Sequence, residues 1–311
     1  MVDIPPTEAM QTQGAPIFYS RPEPLSAATH AGLGLRRIER PFAFAAASNV
    51  VPLIVTEFPQ AALSFPIIFA GDKRQPLAVM GVNQRQNLFV GQDGLFQVGT
   101  YIPAYVRRYP FVLAADESRE NLVVCIDRDA PMLGDLPDLA LFDSAGQPTD
   151  YTKGCIEFCN NFEIEVRRTE SFIELLTELD LFETRTATYA QPNPDGSPAG
   201  PPQVVAEFFA VSEEKLKALS DARLRELLDK GALPQIYAHL TSLFGWDRLI
   251  NMTIQRSAVP PTANLNSIAP YGRLAIGPIG CLDLSPGNDP GGDRHEARTG
   301  GTVHGPARPA G

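Results

Sequence analysis

The chain has 311 residues, a hydrophobic fraction of 44% and a formal net charge of −10 at pH 7. This length is enough for one large domain or two small ones, with a sizeable buried core. The acidic balance, with no block of lysines or arginines, argues against a nucleic-acid partner and against a polybasic membrane-surface segment.

Cysteine content and hydropathy predict the compartment. Four cysteines in 311 residues do not make a disulfide framework. No apolar run reaches the length of a membrane span, and the first residues lack the pattern of a secretory signal. We therefore expect a soluble cytoplasmic protein with reduced thiols and no transmembrane segment.

Short β-type runs dominate the first half of the chain, after a polar, flexible leader at residues 1–16. Between about residues 42 and 127 they alternate with turn residues, which is typical of antiparallel strands. "TEFPQAAL" is predicted as a short helix between two of them. The runs are "NVVPLIV", "FPIIFA", "PLAVMGV", "NLFV", "FVLAA" and "NLVVCID". This pattern predicts a mainly antiparallel, curled β-sheet.

The hydrophobic period changes at about residue 150. Apolar residues at three- and four-residue intervals predict a helix over 155–166, and Thr169 is placed to cap a second helix. A β-hairpin with a turn at Asp195-Gly196 comes next, followed by helices that Ser212 and Ser220 can cap. The fold class predicted is therefore α+β, with a helical C-terminal half.

The domain organisation follows from these patterns. Residues 17–257 are predicted to form one domain, β-rich over 42–127 and helical with the hairpin over 150–257. Residues 258–311 are rich in glycine and proline, and we expect this tail to be largely disordered from about residue 285.

Several stretches, in order between Phe18 and Arg256, carry a family resemblance. They include "FAFAAASNVVPLIVTEFPQAALSFPIIF", "YIPAYVRRYPF", "FFAVSEEKLKAL" and "GALPQIYAHLTSL". Together they resemble the SapC family of bacterial proteins. "YIPAYVRRYPF" and "IYAHLTSL" are the sharpest parts of the match, and the tail is an addition to the family pattern.

The resemblance implies an accessory function in a surface-layer or outer-membrane system. The family is named after a component of a surface-array gene cluster, in which a surface-layer (S-layer) protein is made and exported. Similar proteins are often labelled peptide-transporter components, but nothing in this chain can cross a bilayer. Relatives are commonly encoded near outer-membrane receptors, halogenase-like flavoproteins and cupin-like oxygenases, so a flavin-dependent halogenase-like protein is an implied partner. The family has no established catalytic residues to transfer.

The segment "TYIPAYVRRYPF", residues 100–111, is the main candidate site. Pro103 and Pro110 limit any helix in it to about two turns. Tyr105 and Tyr109 lie four residues apart and would stack on such a helix. Arginine forks and tyrosine hydroxyls suit an acidic group, such as a peptide C-terminus or a small anionic ligand. The candidate ligand-binding residues are Tyr101, Tyr105, Arg107, Arg108 and Tyr109.

The same arginines have a structural interpretation. Arg107 and Arg108 would pair with internal carboxylates and pin the helical part to the sheet, and buried arginines are rarely left unpaired. Glu57, Asp127 and Asp143 are the carboxylates considered. We narrowly favour this pairing over the ligand pocket.

One histidine and two cysteines complete the candidates. His239, in "IYAHLTSL", lies on an apolar helix face; a structural role is the commoner one there, but it is the best candidate for acid–base catalysis. Cys155 and Cys159 share a helix face, but no second pair with zinc-ligand spacing exists, so we predict core packing, no metal and no cofactor.

Three functional hypotheses follow. The leading one is a non-catalytic binding or accessory protein, acting on a peptide or on a partner of a surface-layer or outer-membrane system. The alternative is an enzyme, or enzyme subunit, that modifies a peptide or small acidic ligand alongside a flavin-dependent halogenase-like or cupin-like oxidoreductase. A structural surface component is the third, and the missing signal pattern counts against it.

Overall fold

A computed structural model describes residues 17–115, 122–189, 201 and 203–258 of the chain. The predicted leader, the turn at Asp195-Gly196 and the tail beyond residue 258 lie outside the described residues.

The described residues form short strands and mostly short helices. The strands are β1 (Pro22–Pro24), β2 (Gly34–Leu35), β3 (Val50–Pro52), β4 (Ile67–Ala70), β5 (Gln75–Val79), β6 (Phe111–Ala115), β7 (Leu122–Asp127), β8 (Leu133–Gly134), β9 (Leu139–Ala140), β10 (Phe182–Tyr189) and β11 (Gln203–Val211). The α-helices are α1 (Ala27–His30), α2 (Phe58–Ala61), α3 (Ala104–Arg107), α4 (Asp150–Glu178), α5 (Glu213–Lys217), α6 (Asp221–Asp229), α7 (Leu233–Ser242) and α8 (Gly245–Ala258).

The strands lie in three antiparallel sheets. The largest has the order β10-β11-β4-β5-β3, and the other two have the orders β1-β7-β6 and β8-β2-β9. Most of the strands are in the N-terminal half and most of the helices in the C-terminal half, which confirms the predicted α+β class. The β10–β11 hairpin joins the main sheet through β4, where Phe209 is opposite Phe69. Strand pairing of this kind is long-range, so periodicity alone does not reveal it.

Continuous apolar runs explain the centre of the main sheet. Every residue of β4 is buried, and so are Leu77, Ala78 and Val79 of β5. Strands with no exposed face must be covered on both sides. Helices α7 and α4 supply buried side chains to this core, including Ile236 and Leu176. A second core cluster contains residues of β6, β7 and the first half of α4.

Helix α4 corrects the prediction of two helices in this region. It is continuous over 29 residues, and its N-cap is Thr149, whose Oγ1 accepts from the Thr152 backbone N–H at 3.3 Å. Thr169 lies inside the helix, where its hydroxyl donates to the Glu165 carbonyl at 2.7 Å. The Thr169 hydroxyl oxygen also accepts a hydrogen bond from the Val55 backbone N–H at 2.8 Å. A threonine satisfied in this way does not interrupt a helix.

The later helices begin where the sequence predicted. Ser212 and Ser220 occupy the N-cap positions of α5 and α6, although neither side chain forms a capping hydrogen bond. Gly231 follows α6 with a φ of +65°, a left-handed conformation that glycine adopts at little cost. In the described part of the chain, no helix is long and apolar enough to span a bilayer.

Candidate functional site

A buried carboxylate positions the segment that contains the two adjacent arginines. Glu57 is 4% exposed. Its Oε1 accepts from the backbone N–H of Ala104, the first residue of α3, at 2.6 Å and from the Tyr101 hydroxyl at 2.8 Å. Its Oε2 accepts from the Ile54 backbone N–H at 3.1 Å. Burial raises the pKa of Glu57, although these donors and Arg107 oppose that shift.

Arg107 is engaged within this segment and contacts Glu57 only through a tyrosine. Its Nε donates to the Ile102 carbonyl at 2.9 Å, and its Nη2 donates to the Tyr101 hydroxyl at 3.2 Å. Since that hydroxyl donates in turn to Glu57, Tyr101 links the Arg107 guanidinium to the Glu57 carboxyl group. Burial is the main reason that the pKa of Tyr101 is raised. Arg107 is therefore a structural residue in this geometry.

Arg108 lies differently from Arg107. Its guanidinium carbon is 4.1 Å from the ring centroid of Tyr105 and 4.7 Å from that of Phe162, both within cation–π range. Its Nε is buried and has no hydrogen-bond partner among the described residues. No described carboxylate forms an ion pair with it. Arg108 is thus a half-buried cation without a counter-ion in the described structure.

Among the described residues, neither Arg107 nor Arg108 forms an ion pair with a carboxylate, which corrects the narrowly favoured interpretation. Asp127 is buried, but its donors are the backbone N–H groups of Ser20 and Arg21 and the Tyr109 hydroxyl, the last at 3.1 Å. Asp143 accepts from backbone N–H groups of its own turn. Neutral donors therefore satisfy these two carboxylates.

Tyr105 and Tyr109 do not stack on each other, because α3 ends at Arg107. Tyr105 belongs to the main core cluster, and Tyr109 belongs to the second one. The Tyr109 ring is instead stacked on Phe44, with centroids 4.1 Å apart. Two of the five candidate residues, Tyr105 and Arg108, line a common cavity.

That cavity, which we call the Arg108 groove, has a volume of about 320 Å³. Helix α4 forms one wall, and β5 with the residues around the end of β3 forms the other. Lys73 adds a second cation, while Glu163 and Glu170 are acidic members of the lining. The apolar lining includes Leu53, Pro76, Phe162, Val166 and Ile173. The groove therefore offers cations beside an apolar surface.

His239 does not line the groove and is buried against Phe69 of the main core. Its Nε2 accepts from the Val211 backbone N–H at 3.1 Å, so the ring proton is on Nδ1, which donates to the Ile67 carbonyl at 2.9 Å. The side chain is fully buried, and burial lowers its pKa to about 3. With both nitrogens bonded to backbone, His239 connects α7 to β4 and β11.

The cysteines that the structure describes are core residues. Cys125, Cys155 and Cys159 are all buried in the second core cluster. Burial raises the pKa of the Cys159 thiol to about 12, which leaves it unreactive. No cluster of potential metal ligands occurs among the described residues.

The sequence indicates Arg108 as a candidate ligand-binding residue, but it does not reveal the groove around it. The apolar period of α4 includes Phe162 and Val166, and it predicts that they share a face. The opposite wall comes from residues about a hundred positions away, such as Leu53 and Lys73. No local pattern connects the two walls.

Comparisons with known proteins give one result. The family model of SapC matches residues 25–249, a range that includes every residue named in the groove. No curated protein and no solved structure matches the chain.

Proposed function

The chain belongs to the SapC family, and we propose that it is a non-catalytic binding or accessory protein whose Arg108 groove holds the carboxylate of a peptide or small acidic ligand. One observation carries this proposal: Arg108 is a half-buried cation with no carboxylate partner in the described structure. A desolvated charge is costly unless it is paired, so such a group is suited to an external anion.

The surroundings of Arg108 support a carboxylate attached to an apolar group. A guanidinium presents a planar fork of donors that matches a carboxylate, and the Tyr105 and Phe162 rings hold that fork in place. Leu53, Pro76 and Ile173 offer apolar contact further along. A peptide with an apolar C-terminal residue combines both features.

The proposal is tested by titrating acetyl-Leu-Leu-Phe into the protein as the free acid and as the C-terminal amide. We expect the acid to bind at least tenfold more tightly, because a charge-assisted bidentate pair is worth about 1.5–3 kcal/mol. Arg108→Gln should remove that preference, and Arg108→Lys should keep part of it, since lysine retains the charge but not the fork.

Arg225→Gln is the matched control, because it removes the same charge from an exposed residue of α6. It should retain the preference for the acid. Equal binding of acid and amide, or an unchanged preference in Arg108→Gln, would contradict the proposal.

The biological partner and the location belong to the same proposal. The family resemblance favours a protein or peptide of a surface-layer or outer-membrane system, reached in the cytoplasm, and a flavin-dependent halogenase-like protein is the second partner it implies. A pull-down comparing the unmodified protein with Arg108→Gln should show one partner lost selectively. Cell fractionation of a tagged chain would contradict the location if the protein is recovered at the surface.

A further inference from the structure

The Arg108 groove is one end of a longer channel. A second cavity of about 610 Å³ shares Lys73, Glu170 and Ile173 with it. A third, of about 200 Å³, shares Arg74 and Thr177 with the second. The three cavities therefore adjoin one another along α4.

The channel is long enough for an extended chain. It follows α4 from Phe162 to Glu178, over which the helix rises about 24 Å. An extended peptide advances about 3.3 Å per residue, so about seven residues span this length.

The two ends of the channel differ in charge. Glu170, Glu174 and Glu178 recur every four residues on one face of α4, and all three are exposed. None of them forms an ion pair with a described residue. Earlier on the same helix, Glu163 and Glu165 do pair with arginines. The cavity at Arg108 therefore balances two cations, Arg108 and Lys73, against Glu163 and Glu170. The second cavity is net acidic, because Asp72 and the three glutamates outnumber Lys73 and Arg74.

We propose that this channel holds an extended peptide of about seven residues, with its C-terminal carboxylate at Arg108 and Lys or Arg side chains facing the three glutamates. This inference rests on the proposed function and specifies its ligand. Glu170 is about 12 Å along the helix from Phe162, so the basic residues lie four to seven positions before the C-terminus. A phosphorylated or nucleic-acid ligand would bring like charge to the glutamates.

The test uses three eight-residue peptides: acetyl-KAKALALF as free acid, its C-terminal amide, and acetyl-EAEALALF as free acid. Their affinities are measured by fluorescence anisotropy at low and moderate salt. We expect the lysine acid to bind about tenfold more tightly than the glutamate acid, with the difference decreasing as salt rises. The C-terminal amide should bind more weakly than the free acid of the same peptide, because it lacks the carboxylate that contacts Arg108; this loss does not depend on the lysines.

The variant E170Q/E174Q/E178Q should lower the affinity for the lysine acid about tenfold and leave the acid-over-amide ratio unchanged. E157Q/E207Q/E214Q is the matched control: it removes three exposed carboxylates that do not line the channel, so binding should be unaltered. If the triple variant does not fold, each single glutamine variant should still weaken binding two- to threefold.

The outcomes separate the two proposals. Equal affinity for the lysine and glutamate acids, with the acid still preferred over the amide, would overturn this inference and leave the proposed function intact. Loss of the acid-over-amide preference would overturn both. If both triple variants lower the affinity for the lysine acid equally, the loss comes from the change in net charge alone, and this result would also overturn the inference.

Discussion

Replacing Glu57 by alanine is expected to lower the free energy of unfolding by about 4 kcal/mol at pH 5. The substitution leaves three donors without their acceptor: the backbone N–H groups of Ile54 and Ala104 and the Tyr101 hydroxyl. Each buried donor left unpaired costs about 1–3 kcal/mol. Glu57→Gln should cost about half as much, because a glutamine oxygen can still serve Ala104 and Tyr101.

The cost of either substitution depends on pH with a defined sign. Burial raises the pKa of Glu57 above 4.5, so the folded state binds a proton that the unfolded state has released. The stabilising contribution of Glu57 is complete below pH 4.5 and is lost as the pH rises through the raised pKa. The difference in unfolding free energy between wild type and Glu57→Gln should therefore shrink with rising pH, by at most about 1.4 kcal/mol per unit.

Urea titrations of wild type and both variants across pH 4.5–8 measure this effect. Glu214→Gln, at an exposed carboxylate of α5, controls for the change in net charge. A difference that grows as the pH rises would mean that Glu57 is stabilised as a carboxylate, contrary to the effect of its burial.

Replacing His239 by leucine should lower the free energy of unfolding by about 4 kcal/mol at pH 7. The ring is fully buried and bonds two backbone groups of neighbouring strands, the Val211 N–H and the Ile67 carbonyl. Leucine fills much of the space but leaves both groups unsatisfied. Each costs about 1–3 kcal/mol when buried without a partner.

The pH dependence at His239 is opposite in sign to that at Glu57. Burial lowers the pKa of His239 from 6.5 to about 3, so only the unfolded state takes up a proton between these values. The contribution is complete above pH 6.5 and is lost as the pH falls towards 3. The difference between wild type and His239→Leu should thus decrease by about 1.4 kcal/mol per unit as the solution is acidified.

Chemical unfolding at pH 7.5, 6, 5 and 4 measures this difference. Tyr237→Leu is the control, because it changes a half-exposed side chain on the same helix. A wild-type advantage that stays constant down to pH 4 would show that His239 is protonated in the folded protein, and would reopen its role as an acid or base.

Local pattern was sufficient for most elements of the fold. The β-type runs became β3 to β7, apart from "NLFV", where the structure has only an isolated bridge between Val90 and Phe96. That run has no long partner with which to form a ladder. The helix break predicted at Thr169 is wrong, because the Thr169 hydroxyl forms hydrogen bonds with Glu165 and Val55 and remains inside a continuous helix. The second of these partners is 114 residues away.

The same limit applies to the candidate site. The sequence shows that residues 100–111 combine arginines with tyrosines, and it indicates both an anion site and an internal ion pair. It does not separate Arg107 from Arg108, since adjacent residues have the same composition around them. A four-residue helix turns Arg107 towards Tyr101 and Ile102 and turns Arg108 towards Phe162 of α4.

The sequence by itself determined most of the strands and helices from β3 onwards, because propensity and apolar spacing act over a few neighbours, but it did not predict β1, β2, β8 and β9. Only the tertiary structure decided which of the two arginines has a hydrogen-bonding partner. Such pairing depends on distances in space, and the groove around Arg108 forms only when α4 packs beside β3 and β5. A structure in which a carboxylate of the same chain forms an ion pair with Arg108 would remove the basis for a ligand there.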